Sequence, residues 1–226
     1  MTRTFEIVEK IVNDMDLSVK VNSFTATTID VCELLSMRVG RIITNDSNEQ
    51  FRVTEINGNI VTLEPVNHSN PWSGNFAYVK KPTFLQGEWM SANSEYLDMD
   101  NNTFNKTPLI WLVRGYTEDH KGAMSSIEFS VNPVIYFLEE TPSSGWLNSE
   151  HDENAVNPMY RLAKRFIETV EKTLNIRDLE SYSITDKPRF GVKVGNKGSS
   201  KTIIDDFLSG VEMRLPMEVY DNCINC

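Results

Sequence analysis

The sequence has few cysteines and no long apolar run, and these two shortages exclude two classes of protein. Its three cysteines, Cys32, Cys223 and Cys226, are an odd and sparse set, whereas secreted domains built on disulfides carry many cysteines in even number. No stretch approaches the roughly 18 consecutive apolar residues of a membrane span. The segment MTRTFEIVEKIV mixes acidic residues into its apolar pattern, so we predict no signal peptide. We therefore expect synthesis in a reducing cytoplasm and no membrane partner.

Positive charge is also in short supply. The chain has 22 Lys and Arg residues against 32 Asp and Glu residues, a formal net charge of −10. This sign is wrong for a protein that gains affinity by neutralising phosphates, so tight nucleic-acid binding is not expected. A negative surface does suit a protein past which DNA slides without binding. With 40% hydrophobic and 24% charged residues, the composition otherwise predicts an ordinary folded domain.

The motifs of common catalytic sites are missing. No nucleophile elbow, phosphate-binding glycine loop or dinucleotide fingerprint occurs, and the segment GVKVGNKGSSK is interpreted as an exposed loop. The three histidines lack the spacing of a compact metal site. His151 stands among acids in SEHDEN, where we predict a solvated loop that caps the next helix; an acid–base or metal role is the alternative. We expect no catalytic residues, no cofactor and no metal.

The pattern of apolar residues predicts three regions. Helical spacing predicts an amphipathic helix over residues 3 to 15, so residues 1–16 form an N-terminal helix that packs on the core. Residues 17–82 contain short β-branched segments and an Asn57-Gly58 hairpin turn, which predict a small β-barrel-like module. Residues 83–226 predict a core sheet, long loops and one long helix from Pro158 to about Leu174, with Asn157 as its N-cap. The expected class is α+β, mostly antiparallel sheet packed by that helix.

The segment from Leu208 to Cys223 alternates apolar and polar residues and predicts one long amphipathic strand. Pro216 cannot donate to a strand ladder, so this strand is expected at an edge. A long exposed edge strand is an aggregation hazard unless another chain covers it. We therefore predict that the strand or its neighbouring loops pack on the next copy of the chain, and that rotational closure gives a ring.

Several stretches resemble a known class of virion protein. FLQGEWMSANSEY, NKTPLIWLVRGY, NPVIYFLEE and the closing DDFLSGVEMRLPMEVYDNCINC, with the order of predicted elements, resemble the tail-terminator and tail-completion proteins of tailed bacteriophages. They are also similar to related neck proteins of phages that infect Bacteroidetes, including the crAss-like group. The resemblance covers roughly residues 40 to 226 and lies in pattern, with no invariant catalytic signature.

The resemblance implies a structural protein, not an enzyme, that forms a ring in the neck or tail of the virion. Its partners would be further copies of itself, the portal or adaptor, and other ring proteins, with DNA passing through the lumen unbound, and it would be made in the cytoplasm of the bacterial host. The extra N-terminal β module departs from the simplest members and leaves open which ring is formed.

Loop aromatics and the end of the chain are the expected contacts between subunits. The candidate interface residues are Trp72, Trp89, Phe104, Trp146, Pro216, Val219, Cys223 and Cys226. The spacing of Cys223 and Cys226 also fits a metal site shared with another subunit, although a plain tail is the simpler interpretation. Two rivals stay open. One is a carbohydrate- or protein-binding β module that uses the loop tryptophans; the other is a hydrolase whose acids surround His151.

Overall fold

The computed structural model describes residues 3–99, 106–121, 128–141, 147–173, 176, 179, 181–191, 193–194, 200–201 and 207–220. The described chain is α+β and consists mostly of antiparallel sheet, with one closed barrel and few helices. It divides into two compact units: the barrel unit, Asp16–Lys81, and the main unit, Met1–Met15 together with Pro82–Cys226. No helix among the described residues is long and apolar enough to cross a membrane.

The barrel unit is a closed six-stranded barrel in which every neighbouring pair is antiparallel, in the order β1-β2-β5-β4-β3-β6. Its strands are β1 (Ser18–Phe24), β2 (Thr28–Val31), β3 (Ile42–Thr44), β4 (Gln50–Asn57), β5 (Ile60–Pro65) and β6 (Phe76–Tyr78). The barrel predicted from the β-branched segments is therefore confirmed. The hairpin between β4 and β5 is also present, but Asn57 pairs with Ile60, so Gly58 and Asn59 form the turn. Gly58 has a φ of +60°, which a glycine adopts without steric cost.

Side chains that alternate along the barrel strands form an apolar interior. Phe51 and Val61 are fully buried there, together with Val19, Ile29, Ile43 and Leu63. The Phe51 ring lies 4.9 Å from the ring of Trp72 and 5.0 Å from that of His68, measured between centroids. Burial of each such side chain contributes about 1.5–3 kcal/mol, so the unit has a core of its own.

The main unit is built on a five-stranded sheet in the order β12-β15-β11-β8-β7, antiparallel except for the parallel β7–β8 pair. Its helices are α1 (Thr4–Asp14), α2 (Trp89–Asp98), α3 (Asn148–His151), a π-helix (Asp152–Val156) and α4 (Asn157–Glu171). Its strands are β7 (Thr83–Gly87), β8 (Leu109–Val113), β9 (Glu118–Lys121), β10 (Glu128–Val131), β11 (Val134–Glu140), β12 (Ser183–Phe190), β13 (Lys193–Val194), β14 (Ser200–Lys201), β15 (Leu208–Arg214) and β16 (Met217–Tyr220).

Two groups of helices contact this sheet. α4 packs on β11 and β15, where the Phe137 and Phe166 rings lie 5.5 Å apart, and α1 contacts α4, β7 and β8. α2 lies beside β7, and its Ala92 and Tyr96 join the cluster around Trp111. The predicted N-terminal helix is confirmed. The backbone N–H and the hydroxyl of its first residue, Thr4, both donate to Glu118 Oε1, at 3.0 and 2.6 Å, and a carboxylate is favoured at a helix N-terminus.

The predicted start of the long helix is wrong. Helical structure begins at Asn148 and runs through α3 and the π-helix into α4. Asn157 has helical φ and ψ angles of −62° and −45° and is not an N-cap. Pro158 lies inside this continuous helical segment, directly after the π-helix. A π-helix accommodates one extra residue in a helix, and the proline is tolerated there. α4 ends at Glu171, with Lys172 as its C-cap, so the helix ends before the predicted position at about Leu174.

A second, three-stranded sheet has the order β16-β10-β9 and is antiparallel throughout. One face of it is apolar and buried, formed by Phe129, Val131, Met217 and Val219. Its other face carries polar side chains. A two-stranded pair, β13 and β14, completes the described strands.

Candidate interaction surfaces

Residues 208–220 form two strands and not the single amphipathic strand that their alternation predicts. β15 lies inside the five-stranded sheet, paired with β11 on one side and β12 on the other, and β16 belongs to the three-stranded sheet. Leu215 and Pro216 separate them. Because Pro216 cannot extend a ladder, the chain leaves the first sheet there and enters the second. The expectation of one long free edge strand is therefore wrong for β15, whose two edges are both occupied.

The predicted interface residues fall into three groups. Trp72 and Val219 are 2% and 0% exposed, so both side chains belong to the interior of their own chain, and Trp72 Nε1 donates to the carbonyl of Gly74 at 3.3 Å. Pro216 is half-buried at the break between β15 and β16. Phe104, Trp146, Cys223, Cys226 and the side chain of Trp89, the first residue of α2, lie outside what the structure describes.

His151 is buried, not in a solvated loop as predicted. It is 3% exposed, and its Nδ1 lies 2.9 Å from the Ser209 hydroxyl, which also accepts a hydrogen bond from the Arg189 backbone N–H at 3.1 Å. Arg189 adopts a φ of +56° at a register shift in β12. Burial, with the charge of Arg189, holds the pKa of His151 below its ordinary 6.5. A serine and a histidine at this distance can act as nucleophile and base, but Ser209 is 0% exposed, and the pair joins β15 to the helical segment.

Glu212 is a buried carboxylate at the centre of a charged cluster on the main sheet, whose Lys187 and Arg214 side chains reach the surface. Its carboxylate accepts hydrogen bonds from the Tyr136 hydroxyl at 3.0 Å, from Lys187 Nζ at 2.8 Å and from Arg214 Nε at 3.0 Å. Burial acts to raise the pKa of Glu212, but the Lys187 and Tyr136 hydrogen bonds outweigh it and hold that pKa below 4.5. Burial and the Glu212 charge raise the pKa of Tyr136 to about 12. The cluster joins β11, β15 and β12.

The barrel carries an apolar surface that we call the β3–β6 stripe, defined by Ile42, Phe76 and Tyr78. These side chains are 38%, 40% and 39% exposed. Tyr78 pairs with Thr44, so β3 and β6 are neighbours at this point. Because Ile43 and Ala77 point into the core, alternation places the stripe residues on the outside. Phe76 and Tyr78 therefore lie on the outer face of β6, and Ile42 lies on the outer face of the neighbouring β3.

Asp46 fixes the chain that leads into the stripe. Its Oδ2 accepts hydrogen bonds from the backbone N–H groups of Asn75 and Phe76, at 2.7 and 3.3 Å, and its Oδ1 accepts one from the Tyr78 hydroxyl at 3.1 Å. That hydroxyl bond raises the pKa of Tyr78. Gly74 has a φ of +118°, and a Cβ there would lie 2.6 Å from Asp46 Oδ2. The close approach of this carboxylate therefore requires glycine. The Asp46 hydrogen bonds thus fix the backbone at Phe76 and the side chain of Tyr78, two of the three stripe residues.

Among the described residues, no group of three or more His, Cys, Asp or Glu side chains is arranged to hold a metal ion. The Cys223 and Cys226 pair falls outside them. Comparison of the chain with known protein families, with curated proteins and with solved structures found no match.

Proposed function

We propose that this chain is a structural virion protein that forms a homo-oligomeric ring in the neck or tail of a tailed bacteriophage, between portal and tail. The ring surrounds the DNA channel and contacts the portal or adaptor and other ring proteins. In this proposal the main unit is of the tail-terminator type, with its sheet packed by α4. The protein acts as a joint and is not an enzyme.

The β3–β6 stripe is the observation that carries this proposal. Large apolar side chains that stay exposed on neighbouring strands of the single chain are typical of a site for another protein. The charge of the chain adds support, since a net charge of −10 repels DNA and prevents sticking in a conduit. The resemblance of four sequence stretches to phage neck proteins supplies the biological setting.

The rival binding module has less support. It needs tryptophan side chains on the surface, and Trp72 is packed against Phe51 inside the barrel. It would have to use Trp89 and Trp146 alone. Binding of the isolated chain to a glycan array would favour it over the ring.

The test is the mass of the purified chain in solution, measured with a stripe variant and a matched control. The stripe variant is Ile42→Ser with Phe76→Ser. The control is Ile60→Ser with Phe24→Ser, which removes the same two residue types at positions of the barrel that are 52% and 49% exposed. We expect the wild-type chain and the control to form the ring and the stripe variant to be a folded monomer. A wild-type chain that is monomeric in solution and in purified virion necks would refute the proposal.

A further inference from the structure

The three-stranded sheet forms the floor of a pocket in the main unit. The cavity has a volume of about 480 Å³. The loop from Gly115 to Thr117 lines the cavity, and so do Asn132 and Pro216. Gly115 has a φ of +116°, and a Cβ there would meet no atom within 4 Å. Volumes of this size are common for sites that accept a small molecule or an anchoring side chain.

Strand register explains why the floor is polar. Ser130 of β10 pairs with Asp119 of β9 on one side and with Glu218 of β16 on the other, so these three side chains form one row. The neighbouring row, which contains Phe129, points to the buried face. Side chains on opposite faces of a strand alternate, and the sequence thus directs carboxylates and a hydroxyl into the cavity.

The charge of the pocket is negative. Lys121 forms an ion pair with Glu218, so the positive charge on the floor is matched. The Asp119 carboxylate is exposed and makes no hydrogen bond or ion pair with another described residue. Tyr116 also lines the pocket. Its burial and, to a smaller extent, the charge of Glu118 raise its pKa, so the ring is neutral at physiological pH. The pocket thus offers the Asp119 carboxylate, which no described residue pairs with, and the aromatic side chain of Tyr116.

We propose that this pocket binds an arginine side chain presented by a protein partner of the ring, an inference that rests on the function proposed above. A guanidinium is planar, remains charged and can donate to Asp119 while it stacks on Tyr116. Arginine is among the residues that anchor protein interfaces. A phosphate group would meet the Asp119 and Glu218 carboxylates and be repelled, so charge complementarity selects a cation.

The experiment is a titration of the ¹⁵N-labelled full-length chain with N-acetyl-arginine amide, followed through the amide signals of β9 and β10. N-acetyl-citrulline amide is the comparison probe because it has nearly the same shape without the charge. We expect saturable shifts with the arginine probe and far smaller ones with citrulline. Asp119→Asn should raise the Kd about threefold to fivefold, the effect of a partly exposed ion pair. Asp186→Asn, at an exposed strand position of the same unit, should leave it unchanged.

Two results would overturn the pocket assignment: equal shifts with both probes, or an unchanged Kd in Asp119→Asn. The mass of each sample separates this inference from the proposed ring. A ring-sized particle whose pocket does not bind the arginine probe refutes the inference but is consistent with the proposed ring. A chain that binds the probe as expected but is monomeric in solution and in virion necks keeps the pocket and refutes the ring.

Discussion

The barrel unit and the main unit differ in their unfavourably placed side chains: the barrel unit exposes large apolar side chains, whereas the main unit buries carboxylates. Of the ten large apolar side chains that are exposed among the described residues, six lie in the shorter barrel unit. The main unit instead buries carboxylates, with Glu139 at 0% and Glu212 at 6% exposure. Unmatched apolar surface gains by association, whereas a buried carboxylate must be matched within the chain. We therefore expect the barrel unit to contribute contacts between copies in the proposed ring, and the buried carboxylates to hold the strands of the main unit together.

The largest expected effect is in the main unit, at Gly210. A Cβ at this position of β15 would lie 1.9 Å from the Phe137 carbonyl oxygen of β11, so the two strands must separate. We expect Gly210→Ala to lower the free energy of unfolding of the main unit by about 3–5 kcal/mol, measured by urea denaturation with NMR signals from each unit. Gly115→Ala, where a Cβ has room, should cost only about 1 kcal/mol through its backbone angle. Equal costs would show that β11 and β15 are not packed as described.

The Glu212 cluster is the next target. Glu212→Gln leaves Lys187 and Arg214 without their anion and should cost about 2–3 kcal/mol. The Asp14→Asn control breaks the exposed Lys10–Asp14 pair and should change stability by less than about 0.5 kcal/mol. Because the folded pKa of Glu212 lies below 4.5, its contribution is full above pH 4.5 and is lost as the pH falls through the folded value. Urea denaturation at several acid pH values should show this slope in the wild type and a shallower one in Glu212→Gln.

His151 gives a smaller effect in a different pH window. Its folded pKa lies below 6.5, so stability should be full above pH 6.5 and fall as the pH decreases toward the folded value. His151→Asn should remove this slope and cost about 1–2 kcal/mol through the Ser209 hydrogen bond. The control is His120→Asn. Because the His120 side chain is 41% exposed, this variant should keep the slope. A slope that survives in His151→Asn would mean that another group titrates there.

Folding of the barrel should change least when its exposed apolar residues are replaced. The Ile42→Ser and Phe76→Ser double variant changes two side chains outside the buried core cluster, so we expect the free energy of unfolding of a monomeric barrel to change by less than about 1 kcal/mol. Thermal denaturation at low concentration measures this. A loss of several kcal/mol would place the stripe within the fold and not on a free surface, and would remove the contrast between the units.

The sequence predicts elements wherever local pattern decides the structure. The helical spacing of apolar residues in α1 and the β-branched segments of the barrel are each compatible with one type of secondary structure, and both elements are present. The segment from Val211 to Val219 is compatible with two structures. Its alternation is the same whether one strand continues or a proline divides the segment between two sheets. Local pattern also cannot show which loop residues become core, and Trp72 is an example. His151 stands among acids in sequence, yet its partner Ser209 is 58 residues away.

Candidate surfaces were harder to predict than the fold. The β3–β6 stripe depends on β3 and β6 being neighbours, and Thr44 and Tyr78 are far apart in the sequence. The pocket row of Asp119, Ser130 and Glu218 likewise requires the register of three strands. A hint was present in the apolar residues Phe76 and Tyr78, which flank the small residue Ala77. Both large side chains lie on the outer face of β6, and only the small Ala77 points into the core.

The most direct test of this account is the distribution of particle masses formed by the full-length chain across a range of concentrations. A closed ring requires one discrete multiple of the 25.8 kDa chain that does not grow further as concentration rises. We predict that single species, and its loss in the stripe variant. A chain that stays at 25.8 kDa at every concentration and in virion necks, or a ladder of ever larger species, would contradict the account.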